Sequence, residues 1–182
     1  MNAFQSRLRA FLRDTRGLAA LEFALILPMM VVVLFGSVEL TEVLTTKSRV
    51  ENTAAAMADV VSRDTVIEDD EIDDLWAASG TLMYPNSAGP LKLRVTSVQV
   101  ETPTRAVVLW SEGHNGYTAR SAGSVMSAPS LPAGLMIPGT SVIVAETDYR
   151  YTPPIGVFLD VAFDLKHIEY RRPRIADPVT RN

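Results

Sequence analysis

The feature that most limits the fold of this chain is a run of 21 nearly uninterrupted apolar residues, from Leu18 to Val38. As a helix this run would measure about 32 Å at ~1.5 Å per residue, which is enough to cross the hydrocarbon core of a bilayer. Its only charged residue is Glu22. We therefore expect a transmembrane and assembly helix over residues 18–38, with the rest of the chain on one side of a membrane.

A short basic leader, residues 1–17, precedes the apolar run. Its charged residues are four arginines and one aspartate: Arg7, Arg9, Arg13, Arg16 and Asp14. Basic residues beside an apolar segment favour the cytoplasm, so the N-terminus is predicted to be cytoplasmic and the C-terminal part periplasmic. The run ends at Ser37-Val38-Glu39 rather than in an Ala-x-Ala motif, which disfavours cleavage there by ordinary signal peptidase. An uncleaved signal anchor is the alternative interpretation.

Glu22 is the residue of the run that most needs an explanation, because a carboxylate deep in a bilayer costs on the order of 2–3 kcal/mol. Cleavage after Gly17 would make Leu18 the first residue and Glu22 the fifth. The free α-ammonium group of one subunit would then be able to pair with Glu22 of the next and set the register of a filament. The alternative is a carboxylate near the interface that reaches water or is partly protonated. Pro28 removes a hydrogen bond within the helix and predicts a kink.

The N-terminal residues resemble the motif of the TadE-type minor pilins, or pseudopilins, of tight-adherence pili. The matching motifs are Arg16-Gly17, Glu22-Phe23, Leu27-Pro28, Leu34-Phe35-Gly36 and Glu39. The resemblance implies cleavage between Gly17 and Leu18 by a prepilin peptidase, and a role in assembly for Glu22 and Phe23. Major Flp pilins of this system usually carry Glu-Tyr and are much shorter, so the long exported part favours a minor subunit.

The resemblance continues more weakly near the C-terminus, in Tyr149-Arg150-Tyr151-Thr152-Pro153 and Arg172-Pro173-Arg174. It implies a structural subunit that primes a pilus, sits at its tip or links it to the membrane. The implied partners are the major Flp-type pilin, other minor pilins, the prepilin peptidase and the inner-membrane assembly machinery. The protein would be a single-pass protein of the bacterial inner membrane that also enters the surface pilus. The alternative is a membrane-anchored periplasmic binding module or tip adhesin that uses the loop at residues 121–138.

Composition gives no support to an enzyme. The net charge is −4, and removing the leader's net charge of +3 leaves −7, which is not the profile of a nucleic-acid binder. The chain has no cysteine, so disulfides, thiolate nucleophiles and cysteine-bound metals are excluded. His114 and His167 lack a neighbouring ligand at metal-binding spacing, and neither a Gly-x-Ser-x-Gly elbow nor a phosphate-binding glycine loop is present. We expect no catalytic residues, no cofactor and no metal site.

The helix is predicted to continue beyond the membrane over residues 39–66. Apolar residues recur there at helical spacing: Val43, Val50, Ala54, Met57, Ala58 and Val61. This stripe predicts packing on a sheet, and its small residues would also allow close packing between subunits. The acidic run from Glu68 to Asp74 predicts the start of a short helix that ends near Gly80, because acidic side chains favour a helix N-terminus. Calcium binding is the alternative, but an EF-hand glycine is missing.

The remaining chain, within a periplasmic α+β domain over residues 67–182, carries strand patterns. Alternating apolar residues predict a hairpin and two further strands at residues 91–100, 106–110, 142–151 and 161–170. A change of phase along the first strand predicts a bulge near Thr96-Ser97. Residues 111–116 are predicted as a turn and residues 121–138 as a loop. The predicted fold is α+β and pilin-like, with a long N-terminal hydrophobic helix packed on an antiparallel sheet of about four strands.

Overall fold

The structure, a computed structural model, describes residues 17–127, 130–154, 156 and 160–182. The predicted leader, apart from Gly17, lies outside these residues. In chain order the elements are helix α1 (Leu18–Ser62), β1 (Val66–Ile67), α2 (Asp69–Leu82), β2 (Leu91–Thr102), β3 (Arg105–His114), β4 (Val125–Ser127), a 3₁₀ turn (Ala133–Leu135), β5 (Ser141–Tyr151), β6 (Phe163–Arg171) and β7 (Thr180–Arg181). This arrangement confirms the predicted α+β class and the long N-terminal helix.

Helix α1 packs against the domain through its C-terminal half. Its buried apolar residues are Val50, Ala54, Met57, Ala58 and Val61, with Val43 partly buried beside them. Their three- and four-residue spacing places them on one side of the helix, as the sequence predicts. This side lies against β5 and β6, and the end of the helix also contacts α2.

In the described part of the chain, the main sheet has five strands in the order β4-β3-β2-β5-β6, and every neighbouring pair is antiparallel. The four long strands correspond to the four predicted ones, and β2 and β3 form the expected hairpin. Two features were not predicted. The short edge strand β4 lies inside the segment predicted as a loop, and β1 pairs in parallel with β7 to form a separate two-stranded sheet.

The apolar residues of β2 change from one face of the sheet to the other along the strand. Leu91, Leu93 and Val95 belong to the cluster that includes α1, whereas Val98 and Val100 belong to a second cluster on the opposite face. β2 keeps a continuous register with β5 along this whole length. The change of phase in the sequence therefore reflects two cores on opposite faces, rather than an extra residue in β2.

The irregularity predicted near Thr96-Ser97 is present, but its extra residue belongs to β3. Pairing moves from Ser97–Trp110 to Val98–Val108, which leaves Leu109 without a partner in the ladder. The bulge places Trp110 in the cluster with α1 and Val108 in the cluster on the opposite face. A bulge of this kind lets two residues of the same parity serve different cores.

Two predictions for the middle of the chain are corrected by the pairing. The predicted turn at residues 111–116 is mostly strand, since β3 continues to His114 opposite β2. The chain turns only at Asn115 and Gly116, whose φ angles of 53° and 81° suit asparagine and glycine. The predicted loop at residues 121–138 contains β4, and its Leu131 and Met136 are buried in the second cluster.

Helix α2 confirms the interpretation of the acidic run as a helix start. The carboxylate of Glu71 accepts the backbone N–H of Glu68 at 2.9 Å, which satisfies a donor that the first turn leaves open. The buried residues of the helix are Ile72, Leu75, Trp76 and Ser79. The helix ends at Leu82, two residues beyond the predicted end at Gly80.

The last residues, 172–182, run back over the domain as a strap. The backbone N–H of Arg174 donates to the carbonyl of Ser62 at the end of α1 at 2.7 Å. The carboxylate of Asp177 accepts the backbone N–H of Ser141 at 2.8 Å. Val179 is fully buried, and β7 completes the strap by pairing with β1. The segment that carries Arg172-Pro173-Arg174 is thus part of the folded domain.

Candidate membrane and assembly site

The first half of α1 has no protein packed around it in the described part of the chain. Every residue from Leu18 to Val38 is exposed, apart from the half-buried Gly36. Apolar side chains point outward on all sides, which is typical of a helix surrounded by lipid or by other helices. The helix is long and apolar enough to cross a membrane. We call residues 18–38 the exposed half of α1 and residues 39–62 the packed half.

Gly17, at the predicted cleavage site, lies directly before the first residue of α1. Its carbonyl accepts the backbone N–H of Leu21 at 3.1 Å, which closes the first turn of the helix. No described atom lies within 4 Å of the point where a side chain on Gly17 would start. Gly17 and Leu18 are both exposed among the described residues, and cleavage between them stays a prediction.

Glu22 and Phe23, the predicted assembly residues, are both exposed. Glu22 follows Leu18 by one helical turn, so the two residues lie on the same side of α1. Within the described residues, the Glu22 carboxylate has no ion-pair partner. The helix continues through Pro28 without interruption, and the predicted kink stays a prediction.

Three hydroxyl side chains form hydrogen bonds to backbone carbonyls of α1 itself, where the exposed half meets the packed half. Ser37, Thr41 and Thr45 each donate to a carbonyl three or four residues earlier, at 2.7–2.8 Å. The first buried residue of α1, Glu39, lies in the same region and is 2% exposed. Internal hydrogen bonds lower the cost of placing a hydroxyl in an apolar environment. Sequence reasoning missed these residues because every residue inside a helix follows a carbonyl by four positions. A serine or threonine at such a position therefore gives no specific signal.

A buried ion cluster lies on the face of the sheet opposite α1. The Glu146 carboxylate accepts two hydrogen bonds from the Arg94 guanidinium, at 2.6 and 2.9 Å, and further hydrogen bonds from Arg120. Arg94 also lies over the ring of Tyr117 at 4.3 Å. Burial alone would raise the pKa of Glu146, but the hydrogen bonds and charges of Arg120 and Arg94 hold it below its ordinary value.

This cluster ties residues 117–120 to the sheet, and sequence reasoning missed it. Arg94 and Glu146 are directly paired across β2 and β5, which strand patterns alone can suggest. Arg120 comes from an irregular segment that carries no periodic signal. Both oxygens of the Glu146 carboxylate accept hydrogen bonds from Arg94 and Arg120, so we assign the cluster a structural role.

Neither the acidic run nor the histidines form a catalytic or metal-binding arrangement in the described part of the chain. No group of three potential ligands comes together there in a geometry that would hold a metal ion. His114 stacks on Trp76 with ring centroids 5.2 Å apart, and the Nε2 atom of His167 lies 3.3 Å from a carboxylate oxygen of Glu169. Both contacts join neighbours in the fold rather than lining a cavity.

Comparison with known proteins identifies the N-terminal segment alone. The family model described as TadE-like protein matches residues 17–59. The match starts at Gly17 and covers the exposed half of α1 and most of the packed half, which confirms the predicted resemblance for this helix. It does not extend to the C-terminal motifs, whose resemblance stays a prediction. No curated protein and no solved structure matches the chain.

Proposed function

We propose that the protein is a minor pilin, or pseudopilin, of a tight-adherence pilus and serves as a structural subunit in pilus assembly. One observation carries this proposal: the TadE-like segment begins at Gly17 and continues into a helix half that its own domain leaves uncovered. A segment of this length and composition needs lipid or other helices around it. The helix of a pilin is surrounded by both in succession, first by lipid in the membrane and then by other helices in the filament.

The proposed sequence of events starts in the inner membrane. The exposed half of α1 anchors the chain with its N-terminus in the cytoplasm and its domain in the periplasm. A prepilin peptidase cuts the bond between Gly17 and Leu18, which gives Leu18 a free α-ammonium group. During assembly the exposed half moves from lipid into a bundle of parallel helices, where apolar contacts replace lipid contacts.

Glu22 is proposed to set the register in this bundle. Its carboxylate lies one turn from the new N-terminus, with no ion-pair partner among the described residues. An α-ammonium group of a neighbouring subunit would neutralise it in a low-dielectric environment, where such a pair is stronger than in water. Since Glu22 also lies one turn from the α-ammonium group of its own chain, the two N-termini compete for this carboxylate, and only the pair with a neighbour sets the register.

The proposed partners follow from this role. They are the major Flp-type pilin and other minor pilins in the filament, the prepilin peptidase at the membrane, and the inner-membrane assembly machinery. Priming, a place at the tip and linkage to the machinery all use the same helix contacts. The domain on top of the helix would distinguish this subunit from the shorter major pilins.

Glu22→Ala tests the proposed register. We expect the variant to be cleaved and held in the membrane like the wild type, but to lower the number of pili on the order of tenfold, which corresponds to one lost interaction of modest strength. Val31→Ala, in the same exposed half, is the matched control and should leave pilus number unchanged. Pili counted by electron microscopy at wild-type numbers in Glu22→Ala would contradict the register role.

The alternative of a tip adhesin has less support from the fold. Its proposed binding segment, residues 121–138, contributes Met126, Leu131 and Met136 to the second core. Deleting this segment would therefore remove core packing as well as any binding surface. A sharper test keeps the buried residues and changes exposed ones, such as Val125 and Ile137. Surface attachment that survives both changes would leave the segment with a structural role.

A further inference from the structure

A shallow apolar groove lies between the end of α1 and helix α2. It has a volume of about 270 Å³ and its floor contains Val61, Ile67, Ile72 and Leu75. Val60 and Ala78 line it with exposed side chains. Among the described residues, the charged ones that line it are all acidic: Asp64, Glu71 and Asp74. An occupant that fits this groove needs an apolar side chain with basic groups beside it.

The strap of the same protein presents a segment with this chemistry. Ile175 is 70% exposed, so its apolar side chain is accessible to a second copy. Arg172 and Arg174 flank it, and both side chains are exposed. Within the domain, Arg172 donates a hydrogen bond to the carbonyl of Gly134 and Arg174 donates one to the carboxylate of Asp59. Since a guanidinium carries five N–H donors, both keep donors for a second partner.

The groove and the part of the strap around Arg174 and Ile175 lie at the same height but on different sides of α1. Asp59 and the carbonyl of Ser62 hold the strap, whereas Val60 and Val61 line the groove. At about 100° per residue, Val60 and Val61 lie roughly 100° and 200° around the helix axis from Asp59. All four residues fall within one turn of the helix end. Two copies whose helices stand parallel would therefore be able to bring the strap of one beside the groove of the next.

We propose that the groove of one copy binds the Ile175 segment of a second copy in the same membrane. Ile175 would pack on the apolar floor, and Arg172 and Arg174 would face the three acidic residues of the rim. The two surfaces differ, so the contact is heterologous and is able to continue from subunit to subunit. The proposal needs the parallel anchoring of α1 in a membrane, but it does not depend on cleavage or on pilus assembly.

A contact of this size is too small to hold two free domains together, since stable interfaces bury much more surface. Anchoring changes this balance, because two helices in one membrane keep their domains at the same height and raise their effective concentration. The proposal therefore applies to the full chain in a membrane. Detergent-separated copies are expected to be monomeric.

The natural absence of cysteine allows a clean cross-linking test. Ala78→Cys marks the groove, and Ala176→Cys marks the strap while keeping the Ile175 side chain. Ala78 is exposed and Ala176 is half-buried outside the two core clusters, so neither change disturbs the core. Full-length chains with different tags are expressed separately and together in bacterial membranes, and oxidation is followed by gel electrophoresis. We expect about tenfold more cross-linked dimer in the mixture than with either single variant alone.

Thr104→Cys, at the exposed turn between β2 and β3, replaces Ala78→Cys in the matched control. This pair should cross-link at the level of the single variants. Adding Asp74→Lys to the chain with Ala78→Cys should lower the mixed dimer severalfold, because it places a positive charge in front of the arginines. The intact mass of the protein in the same samples shows whether the N-terminus is cleaved, independently of the contact.

A mixed dimer that exceeds both single variants and the Thr104→Cys control supports the contact. A mixture that gives no dimer overturns it. Equal cross-linking of Ala176→Cys alone and of the mixture also overturns it, because that result indicates a symmetric contact or random collision. A mixed dimer that does not respond to Asp74→Lys contradicts the proposed role of the acidic rim.

Discussion

The two halves of α1 belong to one unbroken helix but have opposite surroundings. The packed half buries Val50, Met57 and Val61 against a sheet built by its own chain. The exposed half is more apolar, yet residues 18–38 have no fully buried residue. Hydrophobicity alone therefore does not determine what is buried inside this domain. The pattern of apolar residues determines it. An apolar stripe packs on a single surface such as the sheet, whereas a helix that is apolar on all sides needs lipid or other helices around it.

This contrast separates folding from assembly. The packed half contributes to the stability of the domain, and changes there should be measured as unfolding. The exposed half contributes nothing to that core, and changes there should be measured as membrane anchoring or pilus formation. Both tryptophans of the chain, Trp76 and Trp110, are largely buried in the core that includes the packed half. Their fluorescence reports domain unfolding in the detergent-solubilised full chain.

The largest expected difference between the halves is the loss of stability when one methionine in each half is replaced by alanine. Met57 is 1% exposed, and Met30 is 56% exposed. Met57→Ala should lower the free energy of unfolding by about 2–5 kcal/mol, because it leaves a cavity between α1 and the sheet. Met30→Ala should change it by less than about 0.5 kcal/mol. Denaturant titration followed by tryptophan fluorescence measures both, and equal losses would contradict the separation.

A second test concerns the ion cluster on the far face of the sheet. Glu146→Gln leaves Arg94 and Arg120 close together without a counter-charge, and should cost about 2–4 kcal/mol of unfolding free energy at neutral pH. Glu101→Gln, which removes an exposed partner of Arg105, is the control and should have little effect. Membrane extraction should be unchanged in both. Loss of anchoring in Glu146→Gln would mean that the halves are coupled.

The same cluster gives the domain a dependence on pH. The pKa of Glu146 in the folded protein lies below the ordinary value of 4.5. Its stabilisation is therefore fully present above pH 4.5 and is lost as the pH falls through the lowered pKa. Wild type and Glu146→Gln should converge in stability in acid. A constant difference from neutral to acidic pH would show that charge is not the cause.

A smaller effect is expected where the strap holds the domain. Asp177→Ala removes the acceptor for the backbone N–H of Ser141, which is fully buried. An unsatisfied buried donor costs about 1–3 kcal/mol, so the free energy of unfolding should fall by that amount. Asp160→Ala changes an exposed aspartate and serves as the control. Equal stability of the two variants would indicate that the contact between Asp177 and Ser141 does not stabilise the domain.

The sequence was sufficient for the features that depend on local pattern. The apolar stripe predicts the packed side of α1, the acidic run predicts α2, and alternation predicts the four long strands. Each signal lies within about 20 residues and has one physical meaning. The predicted change of phase in β2 was also real, although it reflects two cores rather than a bulge in that strand.

The features that sequence analysis missed depend on residues that are distant in the chain. Arg120 reaches Glu146 from an irregular loop, and Asp177 reaches Ser141 from the C-terminal strap. β4 has only three residues, which is too short for alternation to be recognised. For the candidate site, sequence located Gly17, Glu22 and Phe23, and the structure adds that Glu22 and Phe23 are exposed.

The most direct test of the central claim is the N-terminal residue of the mature protein. Intact mass and N-terminal peptide spectra are recorded from membranes of cells with and without a prepilin peptidase. The account predicts a chain that starts at Leu18 when the peptidase is present and at Met1 when it is absent. A chain that keeps Met1 in the presence of an active peptidase would contradict the pilin function and leave a signal-anchored periplasmic domain.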